Sequence, residues 1–364
     1  MNRMKLLAGL TLAALALAPA HASEEIDIAR WVTDGVGSGN AMTIAAAWDD
    51  GSEVRHAHAG TLGGDADAAL DTETQFQIGS ISKVYTNLLL AEMVARGKVR
   101  YDTTVAELAG EAQAFRNEAV GEITLAALAT HTSGLPRMPA NFRPSDPADP
   151  FASYTATQLR QGLLISRAKQ PLGDHYAYSN LGVGLLGYLL GEAHGGGYAA
   201  ALEEYVLSPL NATRTGMSAS GSRASASSGG EVMVDWQFDA LAGAGALWGT
   251  TTDLLALTAV MRGDVSNPFE SAIEDVLAPT GITAGGFSVT RVWHTASAGE
   301  ATIFWHNGRT NGFSSFVGFR PDDGRAIAVL VSGDGDPTGI GLQWLGYERP
   351  EITPPEFDAS VIGT

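Results

Sequence analysis

Hydrophobic and polar positions change their spacing along the chain, and the spacing predicts strands near both ends and helices between them. Segments of strand length and composition cover 42–48, 54–60, 302–306, 313–319 and 326–332. Helical spacing is clearest over 84–95, 124–129, 181–190, 199–206 and 252–261. We therefore expect the strands from both chain ends to form one sheet, with the helical middle as a second lobe.

The first residues are typical of an export signal rather than of folded structure. Arg3 and Lys5 precede an apolar run over 6–17 that is too short to span a bilayer, and Ala20-His21-Ala22 offers a cleavage site. We therefore predict a signal peptide over 1–22 and an exported protein, periplasmic or secreted. After cleavage it would keep no stable membrane anchor; an uncleaved N-terminal anchor is the alternative.

The rest of the chain is predicted to be one domain over 23–345, followed by an irregular, proline-rich tail over 346–364. We expect its sheet lobe to take about 23–100 and 240–345, and its helical lobe to take about 100–240. With 45% hydrophobic residues, the chain has enough apolar material for a large core.

Charge and cysteine content exclude several classes of function. The formal net charge is −18, and an acidic surface repels phosphate, so no nucleic-acid partner is expected. The sequence contains no cysteine, which excludes disulfides, a cysteine nucleophile and a thiolate zinc site. The chemistry must therefore come from other side chains.

The first chemical motif is Ser80-Ile81-Ser82-Lys83, which matches the pattern S-x-x-K at the start of a predicted helix. A spacing of three residues puts Ser80 and Lys83 on one helical face, where a neutral lysine could take the serine proton. Burial and the positive helix N-terminus both favour the neutral amine. The alternative is a serine that caps the helix beside an exposed lysine.

Two later segments supply further candidates. Tyr178 could carry a proton, and Asn180 could form hydrogen bonds with an amide or ester substrate; the alternative is a core aromatic residue beside a capping asparagine. In the third segment, Gly308 would let a substrate lie close to the backbone. His306 could orient Lys83 and Tyr178, or bind a carboxylate when charged; the alternative is a polar turn between two strands.

Taken together, the order and spacing of these motifs resemble the serine β-lactamase, D-alanyl-D-alanine carboxypeptidase and esterase family, especially its class C-like branch. The likeness covers most of the chain after the signal and includes 123–136, 171–180, 241–254 and 306–319. It implies an α+β fold, an α/β sandwich of the β-lactamase and transpeptidase type, with an antiparallel sheet built from both chain ends and a mainly helical second lobe.

The resemblance also implies roles for individual residues. Ser80 would form an acyl-enzyme, while Lys83 and Tyr178 would share the proton transfers, in an order that stays open. The backbone N–H groups of Ser80 and Arg309 would form the oxyanion hole. The substrate-binding residues would be Asn180, His306, Gly308 and Arg309. Neither a metal nor an organic cofactor is implied, and the partner would be a small-molecule or peptide substrate.

One departure from the family pattern affects the expected substrate. Family β-lactamases usually begin the third motif with lysine, whereas this chain has His306-Asn307-Gly308. Since histidine is mostly neutral at pH 7, attraction for a β-lactam carboxylate should be weaker, although the Arg309 side chain could compensate. We therefore expect an esterase or D-amino-acid peptidase. The alternatives are a β-lactamase and a penicillin-binding sensor with little turnover.

Overall fold

A computed structural model of the chain describes residues 26–63, 70–264 and 268–347. The predicted signal peptide and most of the predicted tail lie outside the described residues. The strands, in chain order, are β1 Ala41–Asp50, β2 Val54–Gly60, β3 Phe76–Gln77, β4 Ser227–Ser228, β5 Glu231–Val232, β6 Trp248–Gly249, β7 Ile282–Ala284, β8 Phe287–Val289, β9 His294–Ala298, β10 Ala301–Arg309, β11 Phe313–Phe319 and β12 Arg325–Gly333.

Helices occupy most of the middle of the described chain and flank the sheet at both ends. They are α1 Ile28–Gly37, α2 Ser82–Ala95, α3 Val105–Ala109, α4 Glu118–Gly121, α5 Leu125–Ala129, α6 Ala156–Ile165, α7 Asn180–His194, α8 Gly197–Leu202, α9 Ser208–Leu210, α10 Thr251–Arg262, α11 Glu270–Leu277 and α12 Pro337–Trp344. Within the described ranges, none of these helices is long and apolar enough to cross a membrane.

The main sheet joins the two chain ends, as predicted. Its strand order is β2-β1-β12-β11-β10-β9-β8-β7, and each neighbouring pair is antiparallel. The central contact is between β1 and β12, which come from opposite ends of the chain. Loop closure over such a distance costs little more than over a shorter one, so burial can decide the pairing.

Both faces of the sheet are covered, which explains the long apolar runs in its central strands. Along β12, Ile327 and Val329 pack on the side of α1 and α12, whereas Ala328 and Leu330 pack in the larger core that contains α2 and α10. Side chains alternate between faces with a period of two, so two buried faces require a continuous apolar strand.

The sequence missed some elements and placed others too broadly. It assigned no structure to α1, α6, α11 and α12 or to β7, β8 and β9. The strands β7 and β8 have three residues each, so they are too short to show a clear alternation of apolar and polar residues. The single helix predicted over 199–206 is α8 followed by a wider turn over Glu203–Leu207.

Candidate active site

The predicted nucleophile lies in a tight turn that leads into α2. Residues 79–81 form one 3₁₀ turn, and Gly79 has a φ of +51°, a conformation that favours glycine. A Cβ on Gly79 would lie 2.7 Å from the backbone nitrogen of Arg309. The turn therefore requires glycine for two reasons, its positive φ and the close contact with Arg309. It brings the Ser80 backbone against the end of β10.

Lys83 lies one helical turn after Ser80 and is fully buried. Its Nζ is 3.0 Å from Ser80 Oγ and donates to the carbonyl oxygen of Ala244 at 2.5 Å. Burial holds the pKa of the Lys83 ammonium below its usual value, and the charge of Arg137 lowers the pKa further against an opposing effect of Tyr178. The neutral amine is therefore more accessible than in an exposed lysine, and the predicted exposed alternative is wrong.

The Ala244 carbonyl is positioned by close packing between α7 and the segment over 242–245. A Cβ on Gly187 would lie 2.9 Å from the Cα of Gly243, so the two backbones touch where neither residue has a side chain. Gly187 of α7 thus serves the packing of this segment. This packing brings a backbone acceptor to Lys83 from 161 residues away in the chain.

Tyr178 completes the arrangement around the serine. Its hydroxyl donates to Ser80 Oγ at 2.7 Å, and Lys83 Nζ lies 4.9 Å from the centre of its ring. Three side chains from two distant segments therefore meet at one oxygen atom. Each of the two partners is within reach of the proton that a nucleophilic serine must lose.

His131 holds the Tyr178 segment and is a residue that the motif analysis did not assign a role. Its Nδ1 accepts from the Ser179 N–H at 3.1 Å, and its ring lies 4.4 Å from the Tyr178 ring at a tilt of 30°. It adopts a φ of +61°, which is rare for a residue with a side chain. Burial and the charge of Lys83 place the pKa of His131 well below its usual range, so the imidazole is a neutral acceptor.

The third motif lies on β10, beside the nucleophile turn. A Cβ on Gly308 would lie 2.1 Å from the carbonyl oxygen of Ile78 and 2.8 Å from the backbone nitrogen of Ser80. We expected Gly308 to make room for a substrate; the nearest atoms belong to the protein's own turn. Glycine is therefore required at this position mainly because β10 packs closely against the turn that contains Ser80.

His306 is buried and neutral rather than a carboxylate-binding cation. Its Nδ1 lies 2.7 Å from the carbonyl oxygen of Asn307 and must carry the proton in that hydrogen bond, because a carbonyl only accepts. Burial, with the charges of His294 and Lys83, places the pKa of His306 well below its usual range. The surroundings of His306 therefore disfavour the charged form that could bind a carboxylate.

Among the described residues, the side chains that form hydrogen bonds with Ser80 are Lys83 and Tyr178, and neither Asn180 nor Arg309 joins them. Asn180 is the first residue of α7; its Nδ2 is 3.8 Å from the sulfur of Met138, and its buried Oδ1 has no hydrogen-bond partner in the described part of the protein. A buried oxygen without a partner is costly, so a donor from a ligand would stabilise it. The Arg309 side chain is exposed at the end of β10.

The buried histidines predict a loss of stability in acid. The pKa values of His131 and His306 lie well below 6.5, and burial lowers the pKa of His294 to about 4. As pH falls below about 6.5 the unfolded chain binds protons that the folded chain does not, so stability falls until the folded pKa is passed. We expect the free energy of unfolding, measured in urea, to fall as pH drops from 6.5 to 5, by up to about 1.4 kcal/mol per pH unit for each of these histidines.

A matched variant isolates one of these groups. His294 stacks near His306 with ring centres 5.4 Å apart, and its buried Nδ1 has no partner among the described residues. His294→Phe keeps a ring and removes the titration, so its stability should depend less steeply on pH between 6.5 and 4. Equal slopes for the variant and the wild type would contradict this assignment.

Comparisons with known proteins point to one family. The β-lactamase family model matches residues 28–345. A β-lactamase of Providencia stuartii is 29% identical over 158 residues, or 43% of this chain and 38% of that protein. The D-alanyl-D-alanine-carboxypeptidase/endopeptidase AmpH of Escherichia coli K12 is 27% identical over 217 residues, or 57% of this chain and 56% of that protein. The matched part thus spans less than two thirds of either relative.

Solved structures extend the likeness to nearly the whole described fold. One described as a class C β-lactamase has a TM-score of 0.75 at 19% identity, and the match covers 90% of this chain and 98% of that one. A β-lactamase/D-alanine carboxypeptidase from Pseudomonas syringae has a TM-score of 0.73 at 18% identity, with 87% and 97% covered. The predicted fold class is confirmed, and because the family model spans residues 28–345, the chain belongs to the β-lactamase family.

Proposed function

We propose that this protein is a serine hydrolase that acts through an acyl-enzyme formed on Ser80. The observation that carries the proposal is the convergence on Ser80 Oγ of Lys83 Nζ at 3.0 Å and the Tyr178 hydroxyl at 2.7 Å. A serine hydroxyl is a weak nucleophile until a neighbouring base takes its proton. The two partners are a buried amine with a lowered pKa and a phenol within hydrogen-bond distance of the same oxygen.

The reaction would run in two halves. Ser80 Oγ attacks the substrate carbonyl while its proton passes to the Lys83 and Tyr178 pair, and the same pair returns a proton to the leaving group. The backbone N–H groups of Ser80 and Arg309, at the close contact of the nucleophile turn with β10, would stabilise the oxyanion. Water then attacks the acyl group and regenerates Ser80.

The site favours esters and D-amino-acid peptides over β-lactams. At the third motif, a neutral His306 attracts the carboxylate of a β-lactam less than a permanently charged lysine would, and an ester without a carboxylate does not depend on that attraction. The unpartnered Oδ1 of Asn180 can accept from an amide N–H, which favours peptides over simple esters. The relative AmpH, named as a carboxypeptidase/endopeptidase, supports this choice, whereas the relative from Providencia stuartii supports the alternative of a β-lactamase.

We also propose that the protein is exported and that it needs no cofactor. The charged start and apolar run over 1–17 support export to the periplasm or beyond. No step proposed above requires a metal or an organic group, since proton transfer and acyl transfer are supplied by side chains. Its partners would be small-molecule or peptide substrates.

A substrate panel tests this proposal. A neutral nitrophenyl ester, a peptide that ends in D-alanyl-D-alanine and a penicillin are incubated separately with the mature protein, and product formation and intact protein mass are followed. We expect turnover of the ester or the peptide, and a penicillin adduct that is hydrolysed more slowly than either. Fast penicillin turnover with neither of the others would make the protein a β-lactamase, and the absence of turnover and of any adduct would refute the proposal.

A further inference from the structure

Arg137 has a fixed backbone position beside the Tyr178 segment. The carbonyl of Arg137 accepts from the Leu181 N–H at 3.1 Å, and the carbonyl of Pro136 accepts from the Ser179 hydroxyl at 2.7 Å. Two hydrogen bonds therefore join Pro136 and Arg137 to the segment that contains Tyr178. The base of the Arg137 side chain cannot move far without breaking one of them.

The side chain of Arg137 lies over the ring of Tyr178 and is open to solvent. Its guanidinium carbon lies 5.0 Å from the centre of the Tyr178 ring, whose hydroxyl contacts Ser80. The residue is exposed, and its charge still lowers the pKa of Lys83 and of His131. The guanidinium is thus at the mouth of the site, close enough for its field to act on the groups inside.

Among the described residues, Arg137 also lacks a partner of opposite charge. In an acidic chain with 40 Asp and Glu against 22 Lys and Arg, carboxylates are abundant. Arg100, Arg262 and Arg320 each pair with two of them. Over the described ranges, no carboxylate lies within ion-pair distance of Arg137. The guanidinium keeps its full set of donors for a ligand.

The other cations near the site are less suited to bind an anion. Lys83 is buried and already bonded to Ala244, and His306 is neutral. Arg309 is exposed, but its charge lowers the pKa of Asp334, so the carboxylate of Asp334 offsets part of the field of Arg309. Among these groups, Arg137 is the exposed cation beside Tyr178 whose positive charge is least offset by a nearby carboxylate.

We propose that Arg137 binds a carboxylate of the substrate, so that the enzyme prefers esters or peptides with a free carboxylate near the scissile carbonyl. The planar guanidinium donates two parallel N–H bonds to a carboxylate, which a lysine or a neutral histidine cannot do. This inference rests on the proposed acyl-enzyme function. It assigns the selection of charged substrates mainly to Arg137, in the predicted helical lobe, rather than to Arg309 or His306.

Two matched pairs of esters test the proposal. In the first, mono-4-nitrophenyl glutarate is compared with 4-nitrophenyl valerate, which places a carboxylate or a methyl group at the end of the acyl chain. In the second, 3-carboxyphenyl butyrate is compared with phenyl butyrate, which places the carboxylate on the leaving group. For each pair the readout is the ratio of kcat/KM for the charged ester to that for the neutral ester, because this ratio cancels a general effect of a substitution on Tyr178.

We expect Arg137→Gln to lower this ratio about tenfold in at least one pair, with the loss mainly in KM. Arg137→Lys should retain an intermediate ratio, and added salt should reduce the wild-type ratio because the site is open to solvent. Arg143→Gln is the matched control: Arg143 is exposed on the same loop and donates to the carbonyls of Ala140 and Phe142, so the same charge is removed away from Tyr178.

The outcomes separate this inference from the proposed function. Ratios within about twofold of wild type for Arg137→Gln in both pairs would overturn the inference. The proposed function would still stand if the neutral esters were turned over and this turnover were lost in Ser80→Ala. A fall in ratio of the same size for Arg143→Gln would also overturn the inference, since a remote charge would then suffice. Failure of the wild type to react with any of the four esters would overturn the inference, whereas the proposed function would still stand if the peptide ending in D-alanyl-D-alanine were turned over.

Discussion

Ser80→Ala is expected to lower kcat by about 10⁴-fold or more and to abolish covalent labelling by penicillin. The substitution removes the one oxygen on which Lys83 and Tyr178 converge, so no acyl-enzyme can form. Intact mass after incubation with a penicillin measures the adduct directly, and steady-state hydrolysis of a neutral ester measures the rate.

The neighbouring serine provides a matched control. Ser82 lies two residues further on, is buried, and accepts from the Leu247 N–H at 3.0 Å through its hydroxyl. Ser82→Ala should lose stability by about 1 kcal/mol and still form the adduct. A penicillin adduct of equal size on Ser80→Ala would show that another residue is acylated and that the assignment is wrong.

Lys83→Met is expected to lower kcat/KM by about a thousandfold. Methionine matches the length of the lysine stem and cannot accept a proton, so the variant tests proton transfer with little change in packing. Lys83→Arg keeps the charge but has no accessible neutral form, and we expect it to be as impaired as Lys83→Met. Hydrolysis of a neutral ester across the pH range is the measurement.

The same variant should not lose stability, and this separates a catalytic role from a structural one. Because burial lowers the pKa of Lys83 in the folded state, the protonated amine destabilises the fold below the pKa of the unfolded chain. Lys83→Met removes that cost, so its free energy of unfolding should equal or exceed that of wild type, with the larger gain at lower pH.

An exposed lysine on the same stretch of chain provides the control for Lys83→Met. Lys98 lies exposed just beyond the end of α2, and Lys98→Met should leave both the rate and the stability close to wild type. Loss of stability and activity together in Lys83→Met would indicate that the lysine mainly holds the fold.

Two predictions, the Ser80 and Lys83 pair and the central strands, depended on the local spacing of residues, and the structure agrees with both. A three-residue spacing at a helix start puts Ser80 and Lys83 one turn apart, wherever that helix packs. The apolar runs over 42–48 and 326–332 are typical of central strands. Successive side chains of a strand point to opposite faces of the sheet, so when both faces are covered every position is buried and apolar. Short elements such as β7 and β8 carry too few residues for any period.

The sequence by itself determined the family, the order of the motifs and the candidate nucleophile, because each motif is a short run of neighbouring residues and the order of the motifs can be read along the chain. Only the tertiary structure brought Tyr178 to Ser80 across 98 residues and the Ala244 carbonyl to Lys83 across 161. It also decided that His306 is neutral and that Arg137 faces the site without a carboxylate partner in the described ranges. A protonation state and the partners of a charge depend on burial and on the field of distant segments, and neither quantity exists until the chain has folded.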